Sequence, residues 1–151
     1  MTHADQDLMK LYSKRILALA AAIPMAGRLD APDGSATKRS PICGSTVTVD
    51  VGMSEGRVTR FAQDVKACAL GQSSASVLGQ AVIGLTRKDI TAGREALYAL
   101  IKEDGAAPDA PFEELESLRP ARDYKNRHAS IMLAWDATLA AIDAAKVSLR
   151  E

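Results

Sequence analysis

Residues 45–65 read STVTVDVGMSEGRVTRFAQDV, and this stretch decides the fold. Val47, Val49 and Val51 alternate with Thr46, Thr48 and Asp50, the period of a strand with one buried face. Gly52–Gly56 supplies a hairpin connection, and RVTRFAQDV returns as the partner strand. Its weaker alternation fixes the pairing better than the register. The chain then runs on as KACALGQSSAS over residues 66–76. Cys68 stands where the strand hands over to a helix expected from Ala69 to Ile83 and ended by Gly84.

Helices are expected on both sides of this hairpin. Upstream, Leu8, Leu11, Tyr12, Ile16, Leu19 and Ile23 recur at helical spacing, which predicts one helix from about Ala4 to Ala22, stopped near Pro24. Met25–Leu29 has the character of a short edge strand, and DAPDGSATKRSP that of a turn-rich loop. Downstream, Thr86 and Asp89 have the spacing of a capping box and open a helix to about Lys102. FEELESL predicts a short helix, and RPARDYKNRH leads into a last helix from about Asn126 to Leu149. Locally pairing strands with helices before and after predict an α+β fold: a small antiparallel sheet of about three strands packed on several helices, in a single domain over residues 1–151.

Composition excludes several function classes. Lysines and arginines total 19, as do the acids, so no strong basic field points to a nucleic acid or an anionic membrane. The apolar stretch Ile16–Ile23 follows Lys14 and Arg15, but Asp5 and Asp7 precede it and no small-x-small cleavage site follows. No apolar run approaches the roughly 18–20 residues of a membrane span. A cytoplasmic protein is the expectation. The GQSSASVLG segment lacks the lysine of a phosphate loop, and no Ser-His-acid set is evident, so an enzyme is not expected.

The chain has two cysteines, too few for a disulfide framework. Each has the plain alternative of being a small buried hydrophobe. Cys43 lies in SPICGST, in a loop just before the first strand, beside Gly44. Cys68 lies at a helix mouth, where unsatisfied N–H groups and the helix dipole favour negative charge. They do not form the paired CxxC units of a zinc ribbon. Hairpin topology nevertheless brings both loops to one end of the sheet, which favours a joint site. The small residues after Cys68 suit tight helix packing, or the close approach of a loop or cofactor. His128 and Ser130 lie near the start of the last helix. His128 is a capping or exposed residue, or else a nitrogen ligand. Arg119, Arg122, Lys125 and Arg127 form either a solvated loop or a docking patch. His3 carries no functional weight.

In this order, the Tyr12 helix, Pro24 and Gly27, PICGS with its valine-rich strand, EGRVTRF, CALGQSSAS and the closing FEELESLRPARDYKNRHASIMLAWDA resemble iron–sulfur cluster assembly scaffolds. The resemblance is to the IscU/NifU N-terminal and SufU-like family, and it covers nearly the whole chain. Such scaffolds hold a nascent [2Fe–2S] cluster, iron or a zinc ion with three cysteines and an Asp or His. By that resemblance Cys43 and Cys68 match the first two cysteines. Ser45 stands at the family's Asp, and Ser130, placed by the Leu-Ala-Trp register, at its third cysteine. Ala129 occupies the place of the His in IscU-type members, and the Leu-Pro-Pro-Val-Lys chaperone segment has no counterpart.

The resemblance thus implies cargo bound through Cys43 and Cys68, with His128 or Ser130 as candidates to complete the metal site. A homodimer could also pool two thiolates per subunit. Implied partners are a cysteine desulfurase and recipient apoproteins. Two further readings stay open: an interaction protein that kept the fold without metal, and a zinc-binding or dithiol sulfur-relay protein.

Overall fold

The computed structural model describes residues 11–42 and 44–150. In chain order the elements are α1 (Lys14–Ala21), β1 (Gly34–Arg39), β2 (Thr46–Ser54), β3 (Arg57–Lys66), α2 (Ala69–Ala81), α3 (Arg87–Glu103), a 3-10 helix (Glu113–Asp123) and α4 (Lys125–Arg150). The strands form one antiparallel sheet in the order β1-β2-β3, and the helices pack against it. The fold is α+β, as the sequence predicts.

The hairpin forms as its alternation demands. Val47, Val49 and Val51 are buried and pair with Val65, Gln63 and Phe61 of β3. A register shift at Gly52/Met53 explains the weaker pattern of the return strand, because a bulge offsets the alternation on one side of it. Asp50 sits on the face expected to be polar, yet it is fully buried. Arg28 grips its carboxylate with two hydrogen bonds of 2.7 and 3.1 Å, and Leu29 N–H and the Ser35 hydroxyl add two more. These bonds hold Asp50 near pKa 2, chiefly through Arg28.

The third strand is not where the sequence suggests. Residues 25–29 contribute only an isolated bridge, Ala26 to Gln63, on the β3 edge. The segment expected to be a loop instead supplies β1, Gly34–Arg39, paired with β2. GSATKR has almost no β-forming side chains, so pairing and packing decide its conformation. A Cβ at Gly34 would collide with the backbone of α4 at Ala141 and Ala145, so glycine lets the strand lie directly on that helix.

The opening helix also differs. Residues 4–10 lie outside the described part, but Tyr12 and Ser13 break the expected single helix. Ser13 caps a new start, its hydroxyl accepting from Ile16 N–H at 3.2 Å. A serine side chain that can satisfy an orphan N–H favours a helix end over a helix interior. Downstream expectations hold more closely. Thr86 and Asp89 form a reciprocal capping box at the start of α3. The FEELESL segment belongs to the longer 3-10 helix, Glu113–Asp123.

The small residues of α2 are explained by packing. Ser73 donates to Ile16 O and Ser74 to Ile131 O, both at 2.7 Å, so α2 is wedged between α1 and α4. Ser74 also accepts from the indole N–H of Trp135 at 2.9 Å. Leu70, Leu78, Leu97, Leu100, Ile131 and Trp135 are among the fully buried side chains of the surrounding core. This core fixes both ends of the candidate site.

Candidate metal centre

Cys68 is the N-cap residue of α2, with φ −68° and ψ 170°. Its main-chain carbonyl accepts the first helical bond from Gln72 at 2.9 Å, while its side chain makes no capping bond. Cys68 is partly exposed and packs in part against the core, and its sulfur is not taken up by the helix end. Its partner is the hydroxyl of Ser130 at 3.6 Å, and Ser130 donates to Ser45 Oγ at 3.1 Å. A hydroxyl has one proton to give. With that proton on Ser45, the Cys68 thiol is the donor to Ser130.

Three elements make this meeting. The pairing of Thr46 with Lys66 aligns the start of β2 with the end of β3, so Ser45 and Cys68 leave the sheet at the same end. Ser130 comes from the second turn of α4. It reaches Cys68 because α2 has glycine at position 71, where a Cβ would lie 2.6 Å from the Ser130 hydroxyl oxygen. Gly71 was legible only as one small residue among several. Its role depends on a helix crossing that no local pattern reveals.

The loop ahead of β2 closes on itself. Ser40 N–H donates to Ser45 O at 2.8 Å and Gly44 N–H to Ser40 O at 2.9 Å, with Gly44 at φ +72°. A positive φ of this size suits glycine. Cys43 lies outside the described residues. Its neighbour Gly44 lines, with Ser45, Lys66, Ala67, Cys68 and Arg127, a cavity of about 280 Å3. Lys66 and Arg127 bring two cations to the rim of that cavity. Sequence reading grouped Arg127 with a basic connection and passed over Lys66, because β3 alone does not indicate which loop its last residue meets.

His128 is not among the residues around Cys68. On an α-helix, residues two apart project roughly 200° from each other, so positions 128 and 130 face opposite sides. His128 is buried, with its Nε2 donating to Ala121 O at 2.9 Å. Burial pushes its pKa down and favours the neutral ring. Nδ1 is buried without a hydrogen-bond partner. Among the described residues, no three His, Cys, Asp or Glu side chains gather as a metal site.

The basic connection divides in two. Arg119 pairs with Asp104 and Glu116, and Arg122 with Asp104. Lys125 and Arg127 make no ion pair among the described residues.

A three-stranded antiparallel sheet, helices packed on it and a helix-mouth cysteine at its open end define the fold of iron–sulfur cluster assembly scaffolds. The crystal structure of a nitrogen-fixing NifU-like protein (N-terminal) from Brucella abortus superimposes with a TM-score of 0.90 at 45% identity, over 93% of this chain and 98% of that one. The chain belongs to the NifU-like N-terminal family. An iron–sulfur cluster assembly scaffold protein for the SUF system from Fervidobacterium islandicum shares the fold at 16% identity, with a TM-score of 0.80 over 89% of this chain and 98% of that one. A hypothetical protein at 23% identity gives a TM-score of 0.76 with the same coverage. No family model matches the chain, and no curated protein does.

Proposed function

We propose that this protein serves iron–sulfur cluster assembly, binding iron or a [2Fe–2S] cluster as cargo through the Cys43 and Cys68 thiolates. The observation that carries this reading is the uncapped Cys68 sulfur, open to a cavity at the α2 N-terminus and 3.6 Å from Ser130. Ser45, at the position matching the family's Asp, lines that cavity, and Ser130, matching its third cysteine, is hydrogen-bonded to Ser45. The role is binding and transfer, without turnover of a substrate.

Two thiolates leave a four-coordinate iron half-supplied. Ser45 and Ser130 are neutral, hard oxygen donors and poor substitutes for thiolate. The remaining positions are filled by exchangeable ligands, a second copy of the chain or a small thiol, and this makes the cargo easy to release. Transfer then proceeds by thiolate displacement. An acceptor thiolate attacks iron, an iron–sulfur bond to the scaffold breaks, and the freed thiolate regains a proton. A cysteine desulfurase as sulfur source, recipient apoproteins and a cytoplasmic setting fit this role. Among the described residues no helix is long and apolar enough to cross a membrane.

Anaerobic reconstitution with ferrous iron and sulfide tests the reading. Visible charge-transfer absorption and bound iron should appear, and both should be lost in Cys43→Ser and in Cys68→Ser. Wild-type protein that gains neither would sink it. A second reading, an interaction protein without metal, is favoured by the Ser130–Ser45 hydrogen bond, since Ser130 gives its proton to Ser45 and needs no cargo. Zinc bound on purification, and lost with either cysteine, would instead favour a zinc or dithiol role.

A further inference from the structure

A groove of about 640 Å3 lies between the end of β1, α3 and α4 from Lys125 to Asp143. It is separate from the Cys68 cavity, with which it shares no lining residue. Met132 and Leu133 line it but are each only 6% exposed, so its accessible apolar surface comes from Ile42 and Tyr98, exposed by 71% and 39%. One exposed isoleucine is ordinary on a protein surface, but Ile42 and Tyr98 share a single groove.

The charge around this apolar surface is one-sided. Lys38, Arg39, Lys102 and Lys125 all line the groove, and none forms an ion pair among the described residues. The groove's carboxylates are already matched: Asp136 by Arg94 at 2.7 Å and Asp143 by Arg87 at 2.8 Å. Arg94 is shared further with Glu95. In a chain whose formal net charge is zero, this concentrates unmatched positive charge on one concave surface.

We propose that the groove docks an acidic segment of a partner protein, one that carries apolar side chains between its carboxylates. The four cations meet the carboxylates, and Ile42 and Tyr98 meet the apolar side chains. A nucleic acid would make poor use of the apolar surface, and a membrane surface would not enter a groove. Ile42 precedes Cys43 directly, so a docked segment would lie beside the loop that carries the proposed thiolate. The inference goes beyond the cargo reading and stands on the groove's own chemistry.

A fluorescein-labelled peptide of alternating Glu and Leu, followed by anisotropy, serves as the probe. It should bind more tightly than a Glu-Ser peptide of equal length, and added salt should weaken it. The Lys38→Glu/Lys102→Glu double variant should lose about tenfold or more in affinity. A Lys14→Glu/Lys88→Glu control, with the same charge change elsewhere, should lose far less. Equal losses in the two double variants, equal binding of the Glu-Ser peptide, or no binding at all would overturn the proposal. So would tighter binding of a short DNA duplex or of anionic vesicles. Circular dichroism verifies that each variant is folded. Iron uptake by the Lys38→Glu/Lys102→Glu variant should equal that of wild type, which separates failure of docking from failure of the cargo reading.

Discussion

Ser130 donates a hydrogen bond to Ser45 at 3.1 Å across 85 positions of sequence, and the pair lies against the sulfur of Cys68. Both hydroxyls stand where the family resemblance places metal ligands. Ser130 gives its one proton to Ser45, and a neutral hydroxyl at either position is a poor donor to iron.

If the protein carries a cluster as proposed, replacing both should make it more retentive. The Ser45→Asp/Ser130→Cys variant is expected to lose its reconstituted cluster to a chelator about tenfold more slowly than wild type, because thiolate and carboxylate bind iron where neutral hydroxyls do not. The decay of the visible absorption band measures this. Equal decay rates would mean that these positions do not face the cargo.

Gly71 controls the same site through packing. Its substitution by Ala puts a methyl group 2.6 Å from the Ser130 hydroxyl oxygen and 3.0 Å from the Ser130 carbonyl oxygen. The α2–α4 contact must open, which should destabilise the fold by about 1–3 kcal/mol. Urea denaturation gives the value, and a midpoint equal to that of wild type would contradict the close approach.

Ser74 is the polar link between α2 and the only tryptophan. Ser74→Ala leaves the indole N–H of Trp135 buried without its acceptor, a loss of about 1–3 kcal/mol. Thermal and urea unfolding followed by Trp135 emission read both the stability and the altered indole environment. Unchanged stability and emission would show that another acceptor replaces the serine.

Asp50 ties stability to acid pH. Its folded pKa lies near 2, below the ordinary 3.8, so its contribution is fully present above the ordinary value and fades as pH falls through about 2. The shift corresponds to about 2 kcal/mol. Asp50→Asn should lower the melting temperature at neutral pH and flatten the loss of stability between about pH 4 and 2. A wild-type curve that is already flat there would refute the buried carboxylate–Arg28 clamp.

Sequence revealed those parts of the fold in which local pattern and tertiary environment agree. The valines of β2 alternate because one face is buried, and Thr86 with Asp89 caps α3 through a purely local bond. β1 was hidden because Gly34 and Ala36 serve α4 and the neighbouring strand rather than any strand propensity of their own. The break at Ser13 was hidden because its capping bond competes with a continuous apolar stripe. Cys68 at a helix mouth was legible from the strand-to-helix change. Its contact with Ser130 was reachable only through the family register, since nothing local links residues so far apart. Helix phase alone would have separated His128 from Ser130.

On the proposed cargo reading, the main-chain bonds that close the loop between Ser40 and Ser45 should make loading and folding separate events. Small metal domains collapse when stripped, because the ion is their staple. Here main-chain bonds tie Ser40 to Gly44 and Ser45, and a buried core holds α2 and α4, so on the cargo reading the site is expected to keep its shape when empty. On that reading the protein should be emptied and refilled as a folded molecule, its capacity for repeated use coming from the frame around Cys68.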